Sequence, residues 1–222
     1  MQFKQGANVS TYDGKSVGSM DRVVLNPKTK EVTHIVVRKG FLFSEDKIIP
    51  LDLVASATED KVTLRQDATD LDKLSPFEEV HYVPLDETEA RAAEYPAGWA
   101  MPFYWNQPLA GSLSYPDYAQ AYVNQQPYRS ETEKNIPEDT VALKEGARVI
   151  SDDDQHVGNV DRVFTQAEND RASHFLISAG LIFKDHKLVP TTWIHDIQED
   201  EVHLNVSAAT LKNLPEYQET TA

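Results

Sequence analysis

Cysteine is absent from the 222 residues. That excludes disulfides, thiol catalysis and cysteine-ligated zinc, and it is compatible with a reducing cytoplasm, where the protein is expected. Long apolar runs are missing too. Nothing approaches the roughly 18 residues that a membrane-crossing helix needs, and Met1-Gln2-Phe3-Lys4-Gln5-Gly6 does not read as a secretion signal. Positive charge is scarce: 21 Lys and Arg stand against 36 Asp and Glu, a net charge of −15. The deficit is uneven, with 11 − 13 = −2 over residues 1–80, 4 − 10 = −6 over 81–145 and 6 − 13 = −7 over 146–222. Such a surface repels phosphate backbones, so direct nucleic-acid binding is not expected. Two local signatures of chemistry are also lacking: Gly-x-x-x-x-Gly-Lys and His-Glu-x-x-His. The expectation is a non-enzymatic protein with no cofactor and no metal. A site scattered along the chain and assembled by folding stays open.

What is present is a repeat. Gly6 to Phe77 returns as Gly146 to Tyr217 at a constant offset (146 − 6 = 140) without insertion or deletion, and 21 of 72 positions are identical. Val17-Gly18, Asp21-Arg22-Val23, His34, Gly40, Phe43, Lys47 and Pro50 all recur at that offset. A period this long marks duplicated domains, not a solenoid. Each unit of about 75 residues is near the lower limit for a self-sufficient core, so contact between units would help stability.

Within the first unit, Ala7–Thr11 reads as a short strand entering an Asp13-Gly14 hairpin, whose favoured turn needs positive φ at both central positions. Ser16–Leu25, Val32–Arg38 and Lys47–Pro50 follow as strands, the second rich in β-branched residues. Leu51–Val54 and Lys61–Leu64 read as two more, and Ala68–Phe77 as a short helix or turn ended by Ser75-Pro76. Short strands joined by tight turns predict a small antiparallel barrel. Gly18 with Asp21-Arg22-Val23, the strand Val32-Thr33-His34-Ile35-Val36-Val37, Gly40-Phe41-Leu42-Phe43 and Lys47-Ile48-Ile49-Pro50 together resemble the PRC-barrel domain. The second unit adds the ending Thr210-Leu211-Lys212-Asn213-Leu214-Pro215-Glu216-Tyr217. The resemblance covers both repeats. It implies a mainly β fold of two small antiparallel PRC-like barrels in tandem and a role in binding other proteins, and it brings no catalytic residue. Because the family occurs in the cytoplasmic part of the photosynthetic reaction centre H subunit and in a ribosome maturation factor, it also implies two alternatives. One is an accessory subunit of a reaction centre or electron-transfer complex, and the other a ribosome assembly factor.

The expected division is therefore 1–83, first barrel; 84–140, connector; 141–222, second barrel. The connector is rich in proline yet holds nine of the twenty aromatic residues, from Tyr95 to Tyr128, whereas disordered linkers are poor in them. Trp99, Phe103, Tyr104, Trp105, Tyr115 and Tyr118 are the candidate contacts for a partner protein of unspecified identity, if exposed. If buried, each ring would cover about 150–250 Å² and fix the arrangement of the barrels. Self-association is also kept open. Among repeated polar residues, Asp21, Arg22, His34, Asp161, Arg162 and His174 read as structural, the histidines half-buried with a backbone partner. Gly40 and Gly180 read as positive-φ turns. Asp152-Asp153-Asp154 invites a calcium reading, but adjacent carboxylates at a hairpin tip do not converge, and a solvated turn is expected.

Overall fold

The computed structural model describes residues 1–39, 45–66, 71–84, 128–166, 168–179 and 186–218. Chain contacts separate two units: residues 1–78 with 134–222, and residues 79–133. Both sequence repeats thus lie in the first unit.

The first repeat supplies β1 (Gln2–Lys4), β2 (Asn8–Ser10), β3 (Ser16–Leu25), β4 (Val32–Lys39), β5 (Lys47–Pro50), β6 (Val54–Ala57) and β7 (Lys61–Leu64). A two-stranded ribbon follows, β8 (Glu78–Pro84) with β9 (Tyr128–Lys134). The second repeat supplies β10 (Val141–Lys144), β11 (Arg148–Ile150), β12 (His156–Thr165), β13 (Ala172–Ala179), β14 (Lys187–Pro190), β15 (Ile194–Ile197) and β16 (Glu201–Leu204). It ends in the short helix α1 (Ala208–Lys212), capped by the Ser207 hydroxyl. No helix among the described residues is long and apolar enough to cross a membrane.

The two repeats build the same sheet, β5-β4-β3-β2-β7-β6 and β14-β13-β12-β11-β16-β15. Most ladders are antiparallel, as expected, but β2 runs parallel to β7 and β11 to β16. Each such pair needs the long crossover that the intervening strands provide. Among the described residues the hydrogen-bonded path stays open at β5 and β6, and at β14 and β15, so ladder closure into barrels is not drawn.

The first strands are exchanged. β1 does not join its own repeat but pairs with β12, Phe3 opposite Val163 and Lys4 opposite Arg162. β10 reciprocates on β3, with Leu143 opposite Val23 and Lys144 opposite Arg22. The registers match at the offset of 140, so the unit has internal twofold symmetry. Phe3 and Leu143 are buried in one apolar core that runs through both repeats and includes Val9, Ile35, Leu64, Val149, Phe175 and Leu204. A second reciprocal contact joins the β3–β4 and β12–β13 turns: Val32 N–H donates to Asp170 O, and Ala172 N–H to Lys30 O.

The strands expected at Ser16–Leu25, Lys47–Pro50 and Lys61–Leu64 form with those bounds. Leu51–Leu53 is instead a 3-10 turn, closed by Val54 N–H on Leu51 O, and the strand starts only at Val54. In the hairpin tip only Gly14 has positive φ, at 86°. Gly14 N–H bonds Thr11 O at 2.9 Å, closing a β-turn whose last residue is left-handed. Asp154 holds the equivalent place at φ 54°. Gly18 recurs for a steric reason: a Cβ there would stand 2.5 Å from Arg38 O, and one on Gly158 2.5 Å from Ser178 O. β9 falls inside the expected connector, which carries at least this strand.

Candidate functional site

The repeated Asp-Arg pairs meet where the exchanged strands cross. Arg22, on β3, ion-pairs with Asp21 beside it and with Glu199 of the other repeat. Arg162, on β12 and only 3% exposed, reciprocates with Glu59 at 2.8 Å and accompanies Asp161 at 3.9 Å. Since 59 + 140 = 199, these are two copies of one bond, each made across the repeat boundary. Lys4 adds a second cation on Glu59 at 2.7 Å. Lys134, the last residue of β9, does so on Glu199. Each arginine also lies over an aromatic ring, Arg22 over Phe77 and Arg162 over Phe164.

Gln5 and Glu145, equivalent by the offset, face each other at the centre. Gln5 N–H donates to the Glu145 carboxylate, while Gln5 Nε2 donates to Asp21 Oδ1 at 2.8 Å. Burial works against the Asp21 carboxylate, but the Gln5 hydrogen bond and the Arg38 and Arg22 charges outweigh it and hold its pKa below the usual value. Burial pushes Glu145 the other way, up to about 7. The Asp161 charge adds to the rise, and the Gln5 amide opposes it. The void among these side chains is about 10 Å³, room for at most about one water and for no substrate. The site holds carboxylates and guanidinium groups in mutual neutralisation; its chemistry is cohesion between repeats.

Asp21, Arg22, Asp161 and Arg162 are thus brought together. His34 and His174 are not. His34, half-buried on β4, lines a cleft with Ile48, Pro50, Asn135 and Ile136. His174 lines another with Lys30, Arg171 and Thr192. His34 Nδ1 is buried without a hydrogen-bond partner among the described residues, so the expected backbone partner is not found at that nitrogen. Burial lowers the His34 pKa, with Asp52 opposing. Of the aspartate run, Asp153 has a structural task for its side chain. It accepts from Ser151 Oγ at 2.6 Å and from Ala208 N–H at 3.0 Å, tying the turn to α1. No group of three or more metal-ligating side chains occurs among the described residues. Gly40, Gly180, Trp99, Phe103, Tyr104, Trp105, Tyr115 and Tyr118 lie outside the described residues.

Two repeated ionisable pairs have roles that the sequence patterns did not assign. Glu59-Asp60 recurs as Glu199-Asp200, an identity in an otherwise variable turn that could have marked the cross-repeat partner of the arginines. Lys47 and Lys187, each 7% exposed, send Nζ to Leu74 O at 2.9 Å and Leu214 O at 2.7 Å. A lysine kept at the head of an otherwise apolar strand was the available signal.

Comparison with known families agrees with the duplication and divides it. The family model described as PRC-barrel domain matches residues 5–71. Residues 143–212 match a different model, described as uncharacterized protein conserved in bacteria (DUF2171). The PRC-barrel domain expected in each repeat is therefore shown for the first alone. No curated protein matches the chain.

Proposed function

From the premise of a PRC-barrel domain over residues 5–71, followed by a second repeat of the same topology, we propose that this protein is a non-enzymatic binding or adaptor protein made of two domains of that type. The observation that carries this is the use made of the repeated ionisable residues. Arg22, Arg162, Glu59 and Glu199 are spent on joining the repeats, and the void between them admits no substrate. What repeats is scaffold, and what differs between the repeats is surface: one nearly neutral, one strongly acidic. PRC-barrel domains commonly serve as interaction modules, which supports the same reading. The aromatic stretch around Trp99 and Trp105 is proposed as one contact region. The test is cross-linking of the full chain in its native host, followed by mass spectrometry. A reproducible stoichiometric protein partner is expected, bound at least tenfold more weakly by a Trp99→Ala, Trp105→Ala variant. Isolation without any partner, or turnover of a small molecule by the purified chain, would overturn the proposal.

A further inference from the structure

The internal symmetry lets one repeat serve as a template for the other, and the two differ on one sheet face. In the first repeat, Val24, Val36, Ile48, Phe77 and Ala142 are all buried there, with Ile136 packed on them. The cover is the chain that leaves β9 towards β10, turning at Asn135 with Ile136 N–H on Lys134 O at 2.9 Å. Asn135 N–H donates to Phe77 O at 2.9 Å, and its side-chain amide donates to Pro76 O at 2.9 Å. Lys134 reaches the Glu199 carboxylate.

The second repeat builds the same platform. Phe164, Leu176, Leu188, Tyr217 and Gln2 occupy the equivalent positions. The Lys187–Glu216 bridge repeats Lys47–Pro76, and the bond from Tyr217 N–H to His186 O at 2.9 Å repeats that from Phe77 to Asp46. Here Phe164, Leu188, Tyr217 and Gln2 are only half-buried. A cleft of about 310 Å³, lined by Lys4, Glu59, Asp161, Arg162, Leu176, His186 and Tyr217, lies where Lys134 and Asn135 sit in the first repeat. That volume is at the lower end for ligand sites of about 300–1,000 Å³.

Charge defines the occupant further. Asp21 is neutralised by Arg22, Arg38 and the Gln5 amide. At the equivalent positions around Asp161, Arg38 is replaced by Ser178 and Gln5 by Glu145. Relative to its template the second site has one cation fewer at these positions, and its added acid, Glu145, carries full charge only above pH about 7; the repeat's net charge is −7. We infer that this face of the second repeat is a docking groove for a short basic segment of a partner protein, turned as Lys134-Asn135-Ile136 is. That segment would present a Lys or Arg, then an Asn or Gln, then a branched aliphatic residue, in imitation of Lys134-Asn135-Ile136. The basic side chain meets Asp161, beside the Glu59 carboxylate that Lys4 and Arg162 engage. The next residue's backbone N–H bonds the Tyr217 carbonyl and its side-chain amide the Glu216 carbonyl, as Asn135 does on Phe77 and Pro76, and the aliphatic residue covers Leu188 and Phe164. Backbone bonds supply affinity and the side-chain pockets specificity. The inference rests on the protein-binding function proposed above and names its surface.

The test is fluorescence-anisotropy titration of the full chain with a labelled peptide containing Lys-Asn-Ile-Pro between Ser/Gly flanks. A control peptide contains Glu-Asn-Ser-Pro. Saturable binding of the first peptide is expected, at least tenfold tighter than the control and weakened by salt. Asp161→Asn should weaken it about threefold to tenfold. Leu188→Lys should weaken it more than tenfold, with thermal denaturation showing that both variants still fold. Equal affinity for the two peptides, or undiminished binding to folded Leu188→Lys, would overturn the groove. Concentration-dependent self-association abolished by Leu188→Lys would also overturn it, by making a second copy the occupant. If a host partner is still captured by Leu188→Lys at full affinity, the groove falls and the adaptor function stands. If no partner is captured at all, the adaptor function falls as well.

Discussion

Glu145 stands where its symmetry mate is a glutamine, and that one substitution makes stability depend on pH. Its carboxyl is held protonated up to about 7 because burial, with Asp161 nearby, disfavours the anion. In the unfolded chain it titrates near its ordinary value of 4.5. The folded state therefore binds this proton more tightly. Its contribution is fully present below pH about 4.5, declines as pH rises towards 7, and is absent above that. Allowing for partial exposure, the loss is about 1–2 kcal/mol. Glu145→Gln should remove this slope and be the more stable form at pH 8, its amide donating to Asp161 as Gln5 donates to Asp21. Urea titrations from pH 4.5 to 8 would measure both. At Gly158, alanine would place a methyl 2.5 Å from Ser178 O and 2.6 Å from Ile177 Cγ2. Neither the carbonyl nor the packed isoleucine gives way easily, so Gly158→Ala should cost about 1–3 kcal/mol, read as a lowered Tm.

At the scale of elements, what could be read from the residues was what they do locally. The β-branched run Ile35-Val36-Val37 and the apolar Ile48-Ile49 form strands because both faces are covered, Ile35, Val37 and Ile49 in the shared core and Val36 and Ile48 in the cluster on the other face, and their bounds followed from Pro50 and the turns. β9 was not legible: Arg129-Ser130-Glu131-Thr132-Glu133-Lys134 has no apolar alternation, and its pairing with β8 is a long-range fact. The Leu51–Leu53 turn looked like strand because its apolar content suits either. The strand exchange was equally hidden. Gln2-Phe3-Lys4 is only three residues, and nothing in it says which repeat it will join. Yet Phe3 is 1% exposed in the core. Phe3→Ala should cost about 3–5 kcal/mol and Leu143→Ala about 2–5 kcal/mol. Chemical denaturation should show either loss lowering the stability of both repeats together, since each strand completes the opposite sheet.

The whole first unit has the architecture of a homodimer written into one chain: reciprocal strands, reciprocal Arg–Glu bonds and reciprocal turn contacts around one axis. The offset of 140 revealed the duplication, but not that the copies share a core. Sequence identity reports which residues recur and is silent on whether they touch their own repeat or the other. Calorimetry of the full chain should therefore show the two repeats melting in a single transition. The fragment 1–83 should not persist as a folded monomer; light scattering should find it dimeric, two copies exchanging β1 as the fused repeats do. A folded monomeric fragment would contradict the shared core.

The exchanged strands also impose an order on biosynthesis. β3 acquires its outer partner only when Lys144 has been translated, 144 − 64 = 80 residues after β7 ends. At about 5–20 residues per second this is an interval of about 4–16 s. During that interval the nascent first repeat has every strand of its own but keeps one flank of β3 open. β1 must wait longer still, for β12. The ribosome thus delivers a half that waits for its complement, and the ribbon and the aromatic stretch are made within that wait.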